Sequence, residues 1–226
     1  MLIHPTTTDR IFAFSTTRDC KLEVPVSLPL VMPSHQVHGT KTVIVNEDFL
    51  KQTQLEQVLQ LHGVDALSTD IPGICICVKT ADCIPVLLYD ETANVVSAVH
   101  AGWKGTVARI VEKNIEVLTR HFSLQSDNLH AIIGPGISQD SFEVGDEVYE
   151  QFLQAGFPMQ HIAKKYAKWH IDLWEANRLQ LISKGVRAEN IHVAGIDTMT
   201  TENYYSARRM KDCDGRIING ICITKQ

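Results

Sequence analysis

Two histidines and one cysteine are the residues of this chain whose side chains are best suited to chemistry. They are His38 in HQVHG, Cys83 in KTADCIPVLLYD and His100 in AVHAGWKGT. First-row transition metals accept imidazole and thiolate ligands, and three protein ligands leave the fourth position of a tetrahedral ion open. Because an open position is typical of a catalytic metal, these residues are candidates for metal binding and catalysis.

Local spacing alone leaves each of the three residues with a structural interpretation. The intervals between them match no standard zinc-finger spacing. A single histidine such as His38, or His100 at the end of an apolar run, is often a hydrogen-bonded structural residue. Cys83 can equally be a buried, inert thiol. A further alternative needs no metal, because His100 can activate Cys83 as a nucleophile for hydrolysis.

The strands around Cys83 and His100 are predicted to bring these two residues together. Apolar runs cover 85–89 and 95–100, and the polar segment 90–94 joins them, which predicts a β-hairpin. Cys83 lies just before the first strand and His100 ends the second, so antiparallel pairing places both at one sheet edge. Near-continuous apolar runs also predict strands that are buried on both faces.

The remaining patterns predict a mixed architecture. Strands are predicted at 11–16, 41–45, 74–78, 129–133, 191–194 and 217–223, and helices at 47–61, 106–122, 146–154 and 172–184. The segment 20–33 contains three prolines and is predicted to be irregular. Strands and helices without strict alternation favour an α/β fold of mixed α+β type. We therefore expect one domain over residues 1–226, a layered sheet with flanking helices.

The composition restricts the partners that the protein is expected to bind and the compartment in which it is expected. The chain has 226 residues and a net charge of -5, so no basic footprint indicates nucleic acid. Its apolar runs are far shorter than the roughly 18 residues of a membrane span. The N-terminal residues lack the pattern of a signal peptide, so we expect a cytoplasmic protein whose six cysteines are free thiols. Cys75 and Cys77 alternate in an apolar run and are predicted core thiols.

Several long motifs occur in a fixed order along nearly the whole chain. They are HQVHG, GVDALSTDIPGICICVKTADCIPVLLYD, AVHAGWKGT, IGPGIS followed by FEVGDEV, and SARR. Together they resemble the YfiH-type family, also called the laccase-domain or multicopper polyphenol oxidase family. The segment 15–33 is shorter than in that family and lacks its glycine-rich turn and asparagine–arginine pair. Asp197-Thr198 stands where the family tends to have a cysteine–threonine pair.

The resemblance implies a YfiH-like α/β fold and a metal held by His38, Cys83 and His100. It also implies a choice of activities: phosphorolysis of adenosine, inosine and methylthioadenosine, adenosine deamination, phenol oxidation, or editing of a peptidoglycan precursor. A laccase mechanism needs several linked coppers, whereas this chain has one ligand cluster and no His-x-His pair. Nucleoside chemistry fits better, because an open zinc site makes water or phosphate reactive near neutral pH.

Residues for the remaining roles are candidates with structural alternatives. Phosphorolysis requires cations or backbone amides that hold phosphate, and Lys104 and Arg208 are the chosen substrate-binding candidates, with Arg209 beside them. Lys104 can instead be a solvated helix-start lysine, and either arginine a structural ion pair. Asp82 is a candidate general acid/base or a strand-edge cap. The remaining candidates, each with a structural alternative, are an anion loop at 134–136, a purine-stacking Trp103 and a second-shell or surface His35.

The sequence therefore predicts a metal-dependent purine nucleoside enzyme. The cofactor is expected to be zinc at His38, Cys83 and His100, with copper as the alternative ion. The substrates are expected to be a purine nucleoside and phosphate, without a nucleic-acid or membrane partner. The alternative functions are a Cys–His hydrolase that edits a peptidoglycan precursor and a polyphenol oxidase with copper at the same site.

Overall fold

The computed structural model describes residues 1–19, 28–211 and 214–225. Its strands are β1 (Leu2–Ile3), β2 (Ile11–Ser15), β3 (Leu30–Val31), β4 (Thr42–Ile44), β5 (Ala66–Thr69), β6 (Cys75–Thr80), β7 (Ile84–Asp90), β8 (Val95–Ala101), β9 (His130–Ile133), β10 (Glu143–Val144), β11 (Ala163–Lys165), β12 (Trp169–Ile171), β13 (Ile191–Val193) and β14 (Ile217–Ile223). Its helices are α1 (Glu47–Lys51), α2 (Gln54–Gln60), α3 (Trp103–Val107), α4 (Ile110–Phe122), α5 (Asp146–Gln154), α6 (Met159–Ile162), α7 (Leu173–Ser183) and α8 (Ala207–Met210). Short 3₁₀ turns cover Ser126–Asn128 and Ala188–Asn190.

Two large sheets and a layer of helices form the body of the protein. A six-stranded mixed sheet has the order β13-β9-β7-β8-β5-β4, and a five-stranded sheet has the order β1-β2-β14-β6-β3. A third sheet is small and has three strands in the order β10-β12-β11. This arrangement confirms the predicted mixed α/β layered sheet with flanking helices. Among the described residues, no helix is long and apolar enough to cross a membrane.

Strand β7 shows why its sequence is apolar throughout. Val86 and Leu88 belong to the core that the six-stranded sheet forms with the helices. Leu87 and Tyr89 belong to the second core, between the two large sheets. Since both faces of the strand are covered, period-two alternation disappears from the sequence, as buried strands require.

The hairpin and the core thiols follow the sequence prediction. Strands β7 and β8 pair antiparallel, with Pro85 opposite His100. Cys75 and Cys77 are fully buried, and their sulfur atoms lie 3.7 Å apart on one face of β6. These two and the other described cysteines, Cys83 and Cys222, are free thiols, as expected. Cys20 and Cys213 lie outside the described residues.

The predicted helix at 47–61 is two helices, because a capping box starts a second one. Thr53 accepts a hydrogen bond from the Glu56 amide, and Glu56 accepts one from the Thr53 amide. The side-chain amide of Gln57 then donates to the carbonyl oxygens that end α1, including that of Phe49. Helix α2 has no buried residue, so its apolar positions do not continue the stripe of α1.

The predicted helix at 106–122 is also divided. Arg109 adopts a left-handed backbone conformation, with φ of 64°, between α3 and α4. Its guanidinium lies 3.6 Å from the centroid of the Phe157 ring and donates to the carbonyl oxygen of Ala155. These contacts hold a conformation that costs an L-residue about 1 kcal/mol or more. The apolar stripe of α4 is buried as predicted.

The sequence prediction missed several parts of the fold, among them β1, α6 and α8. Strand β5 joins β8 to β4 inside the six-stranded sheet, although its short sequence ALST carries little apolar signal. The small sheet β10-β12-β11 is made of two- and three-residue strands, which periodicity cannot detect. In the segment 20–33, predicted to be irregular, residues 20–27 lie outside the described residues, and β3 pairs parallel to β6.

Candidate metal centre

The structure brings together the three residues that carried the metal prediction. Cys83 immediately precedes β7, and His100 lies in β8 one position before its end. His38 comes from the loop before β4 and completes the cluster. One ligand atom from each residue lies within 4.8 Å of the other two. Among the described residues, this is the single group of three such side chains that is close enough to hold an ion.

The backbone around His38 is shaped for this approach. His38 has φ of 60°, so its chain turns in the left-handed region. Its ring centroid lies 4.8 Å from that of His100, at an interplanar angle of 64°. Gly102 leaves the space for this packing, because a Cβ there would lie 2.5 Å from His38 Cδ2 and 3.0 Å from Cys83 Sγ. The triad therefore requires a glycine directly after β8.

Asp65 connects two members of the triad. Its buried carboxylate lies 2.8 Å from His100 Nδ1. It also accepts hydrogen bonds from the backbone amides of His38, at 3.0 Å, and Gly39, at 2.7 Å. A donor proton on Nδ1 leaves Nε2 of His100 with its lone pair toward the cluster, as in carboxylate–histidine–zinc arrangements. Sequence reasoning missed Asp65, although an acid entering a buried strand in GVDALST was the available signal.

The protonation of the triad is perturbed by these neighbours. Burial works to raise the pKa of Cys83, but hydrogen bonds from His100 and His38 outweigh it and lower the pKa to about 6. Burial works to lower the pKa of His100, but hydrogen bonds to Asp65 and Cys83 raise it to about 9. The arrangement thus favours a thiolate beside an imidazolium when no ion is bound.

The donor set fits a single first-row metal ion. Neutral imidazole nitrogen and thiolate sulfur are ligands of zinc, and about 2.0–2.3 Å is the usual bond length to each. The three ligand atoms lie within 4.8 Å of one another, so one ion between them is the simplest way to use all three. His38 is exposed while His100 is buried, so the cluster is closed on the protein side and open toward solvent. An ion here would keep a position for substrate.

Two cavities meet at the triad, and four residues line both: His38, Ala81, Cys83 and Ala207. The first, which we call the polar chamber, has a volume of about 420 Å³. It is also lined by Ser34, His35, Gln36, Lys79, Thr80, His100 and Arg216. The second, which we call the apolar chamber, has a volume of about 520 Å³. It is also lined by Asp82, Trp103, Ile137, Phe142, Leu173, Arg208 and Lys211.

Asp82 has a structural role that its sequence position did not reveal. Its carboxylate accepts hydrogen bonds from the hydroxyls of Thr198 and Ser206, at 2.7 and 3.1 Å, and from the Arg208 amide, at 2.7 Å. These bonds fasten Thr198 and the start of α8, where SARR lies, to the cysteine loop. The strand-edge interpretation of Asp82 therefore accounts for its contacts, and its lone pairs are largely occupied.

The two arginines of SARR have different surroundings. Arg208 is exposed and lines the apolar chamber, where its guanidinium donates to the carbonyl oxygen of Glu143 at 3.1 Å. Arg209 donates to the carbonyl oxygens of Met199 and Tyr204, at 2.9 and 2.6 Å, so its guanidinium is used for structure. Arg208 stays a substrate-binding prediction on this geometry.

Lys104 and Trp103 lie at the start of α3. Lys104 is exposed, its ammonium nitrogen lies 5.6 Å from the centroid of the Trp103 ring, and it lines neither chamber. Its role in substrate binding stays a prediction. Trp103 is half-buried and lines the apolar chamber, so its indole is available to a bound ligand. His35 lies with its ring 5.3 Å from that of His62 and lines the polar chamber.

The glycine loop at 134–136 and Asp197 both contribute to structure. The amides of Gly134 and Gly136 donate to the carbonyl oxygens of Pro85 and Ile196, so neither is directed at an anion. The carboxylate of Asp197 accepts hydrogen bonds from the hydroxyls of Ser138 and Ser141. Asp197 thus stabilises the loop that follows β9.

The fold and the cluster define a layered α/β protein with a candidate metal centre that opens into a two-part cleft. A family model described as multi-copper polyphenol oxidoreductase laccase matches residues 17–224, so the chain belongs to this family. This confirms the resemblance drawn from the motifs.

Two curated relatives indicate what members of this family are named for. A purine nucleoside phosphorylase of Bacteroides thetaiotaomicron is 44% identical over 200 residues, which cover 87% of this chain and 74% of that protein. Adenosine deaminase RL5, from an unknown prokaryotic organism, is 42% identical over 196 residues, covering 85% of this chain and 74% of that protein. These similarities support the prediction that this protein is an enzyme.

Solved structures confirm the fold. The Bacillus licheniformis protein YfiH aligns with a TM-score of 0.84 at 21% identity, over 96% of this chain and 94% of that chain. YlmD of Geobacillus stearothermophilus aligns with a TM-score of 0.83 at 24% identity, over 96% and 93% of the two chains. The predicted YfiH-like fold is therefore correct.

Proposed function

We propose that this protein is a metal-dependent purine nucleoside phosphorylase that acts on adenosine, inosine and methylthioadenosine, with adenosine deamination as an additional reaction. The observation that carries the proposal is the position of the triad of His38, Cys83 and His100, which lies where two cavities meet. Each cavity has the size of a small-molecule site. The names of the two relatives support this substrate class. In this proposal residues 1–226 act as one catalytic domain.

The geometry of the triad supports the roles that we propose for it. His38, Cys83 and His100 would hold zinc, with copper as the alternative ion. Bound there, zinc supplies a Lewis acid at its open fourth position. Asp65 holds the ring of His100 through Nδ1 and the loop of His38 through two amides. This fixed scaffold keeps two of the three ligands in place while substrate enters from the solvent side.

Phosphorolysis places further demands on the cleft. Phosphate must be held by cations or amides near the sugar carbon that it attacks. Arg208 lines the apolar chamber, Lys104 lies beside the Trp103 ring without lining either chamber, and both stay predicted substrate contacts. For deamination, water replaces the amino group of the purine ring and ammonia leaves, so that reaction needs no phosphate.

Product analysis tests the proposal directly. Purified protein of known zinc content is incubated with adenosine or inosine, with and without phosphate, and the products are separated by chromatography. We expect phosphate-dependent release of adenine or hypoxanthine and phosphate-independent conversion of adenosine to inosine. Absence of both products with zinc-loaded protein contradicts the proposal.

A cysteine hydrolase is the second candidate, because a carboxylate, an imidazole and a thiol also lie next to one another in the order Asp65, His100, Cys83. Asp65 holds Nδ1 of His100, and a ring nitrogen of His100 lies within 4.8 Å of the Cys83 sulfur, which is the order of a charge–base–nucleophile triad. Such a site would hydrolyse an amide in a peptidoglycan precursor. Full activity of chelator-treated, metal-free protein on that substrate would favour this candidate over the nucleoside enzyme.

Polyphenol oxidation, which the family description names, is a weaker candidate. Laccase chemistry distributes electrons over several coppers, whereas the described residues contain a single three-ligand group. Copper at that group remains the alternative through which a side reaction with phenols would arise. Oxidation of a phenol by copper-loaded protein, and its loss in a Cys83 variant, would support that activity.

A further inference from the structure

The two chambers differ in the ligands that they can accommodate. They share His38 and Cys83, but the residues that line the polar chamber alone are all polar or charged, whereas four of the seven that line the apolar chamber alone are apolar. A nucleoside and phosphate also differ in this way, since a purine is a flat heteroaromatic ring and phosphate a compact anion. The inference developed below rests on the proposed function and assigns each chamber to one part of the substrate pair.

The polar chamber is built for an anion. Two of its lining residues, Lys79 and Arg216, are cationic, and none of its described lining residues carries a carboxylate. This local balance is the reverse of the chain's net charge of -5. The other polar groups around the chamber already have partners: the Gln36 amide bonds to the Lys79 backbone, the Ser34 hydroxyl donates to the Val58 carbonyl oxygen, and the Thr80 hydroxyl accepts from Asn219.

Lys79 is held in a defined position at the end of β6. The side-chain amide of Gln36 donates to the Lys79 carbonyl oxygen and accepts from its amide, both at 2.8 Å. Lys79 is half-buried, yet among the described residues no carboxylate forms an ion pair with its ammonium. Because no carboxylate in the described part of the chain neutralises this ammonium, an anion in the chamber could form a charge-assisted hydrogen bond with it.

The apolar chamber is built for a flat ring. Trp103 and Phe142 offer aromatic surfaces, and Ile137 and Leu173 add aliphatic ones. Three charged residues, Asp82, Arg208 and Lys211, also line the chamber. The Asp82 carboxylate already accepts three hydrogen bonds, and the Arg208 guanidinium donates to the Glu143 carbonyl oxygen. Aromatic and aliphatic walls favour a heteroaromatic base over a hydrated phosphate.

We propose that phosphate binds in the polar chamber with Lys79 as its main charged contact, while the purine binds in the apolar chamber beside Trp103 and the ribose lies at the triad. In phosphorolysis a phosphate oxygen bonds to C1′ of the ribose as the bond from C1′ to N9 breaks. The electron pair of that bond goes to N9, and the purine takes up the proton that phosphate gives up. Separate chambers on either side of the triad bring nucleophile and leaving group to different sides of the sugar.

The test separates the two Michaelis constants. In Lys79→Gln we expect the KM for phosphate to rise about tenfold or more, as loss of a charge-assisted contact implies, while the KM for inosine and the zinc content stay unchanged. Lys79→Arg keeps the charge and should retain most of the phosphate affinity. Lys184→Gln is the matched control, because Lys184 is half-buried, pairs with Glu116 and lines neither chamber. Trp103→Leu should show the opposite split, with a raised KM for inosine alone.

A binding measurement adds a readout that does not depend on turnover. Inorganic phosphate should raise the unfolding temperature of the wild-type protein and of Lys184→Gln above that in sodium chloride of equal ionic strength. It should have no such effect on Lys79→Gln. An unchanged phosphate KM in Lys79→Gln, an equal rise of both constants, or a zinc loss would overturn the chamber assignment. Absence of purine release by the wild-type protein would instead overturn the proposed function.

Discussion

Asp65 provides the sharpest test of how this site is assembled. Its Oδ1 is hydrogen-bonded to His100 Nδ1 and accepts from the His38 amide, and its Oδ2 accepts from the Gly39 amide. Asparagine has the same shape but only one acceptor oxygen. In Asp65→Asn the new NH₂ group must therefore face a donor, whether it lies on the Gly39 side or on the His100 side.

The expected magnitude follows from those contacts. Loss of a carboxylate behind a ligating histidine lowers metal affinity by about 10–100-fold, or about 1.4–2.7 kcal/mol. One buried N–H left without an acceptor costs about 1–3 kcal/mol of stability. We expect Asp65→Asn to fold with a lowered unfolding temperature and to bind zinc about 10–100-fold more weakly than the wild-type protein.

Zinc affinity is measured by competition with a chromophoric chelator, and circular dichroism checks the fold. Asp197→Asn is the matched control, since Asp197 is a half-buried carboxylate that accepts from Ser138 and Ser141 and contacts no triad residue by hydrogen bond. A folded Asp65→Asn protein whose zinc affinity lies within about twofold of wild type would refute the reasoning. So would an equal loss in Asp197→Asn.

Three further predictions concern the triad itself. Cys83→Ala removes the thiolate ligand and should abolish zinc binding and activity together; retained stoichiometric zinc, measured by atomic absorption, would exclude Cys83 as a ligand. In metal-free protein, the rate at which iodoacetamide alkylates Cys83 is measured by mass spectrometry. This rate should rise with pH through about 6 and level off above it, because the lowered pKa of Cys83 makes the thiolate dominant there. A rate that keeps rising to pH 9 would contradict this prediction. Gly102→Ala should displace His38 and Cys83 and weaken zinc binding strongly, because its Cβ would lie 2.5 Å from His38 Cδ2. Gly39→Ala should have a smaller effect, because the nearest contacts of its Cβ are 3.4 Å. Equal zinc affinities for the two variants would show that the site adapts to the added methyl group.

Sequence patterns were sufficient where a few neighbouring residues decide the structure. The apolar runs on either side of residues 90–94 predicted the hairpin of β7 and β8, and the helix at 146–154 was predicted with its observed bounds. They failed where a local exception interrupts a regular pattern. The capping box at Thr53 and the left-handed Arg109 each divide a stretch that periodicity alone treats as one helix.

The sequence by itself determined the candidate ligands, the hairpin that joins Cys83 to His100, and, through the ordered motifs, the family. Only the tertiary structure decided how His38 and Asp65 complete the site, because they come from separate loops and meet His100 only when β4, β5 and β8 align in one sheet. It likewise decided that Asp82 fastens the segment around Arg208, more than a hundred residues away in the chain. Such contacts depend on the packing of whole elements, which local periodicity and spacing do not encode.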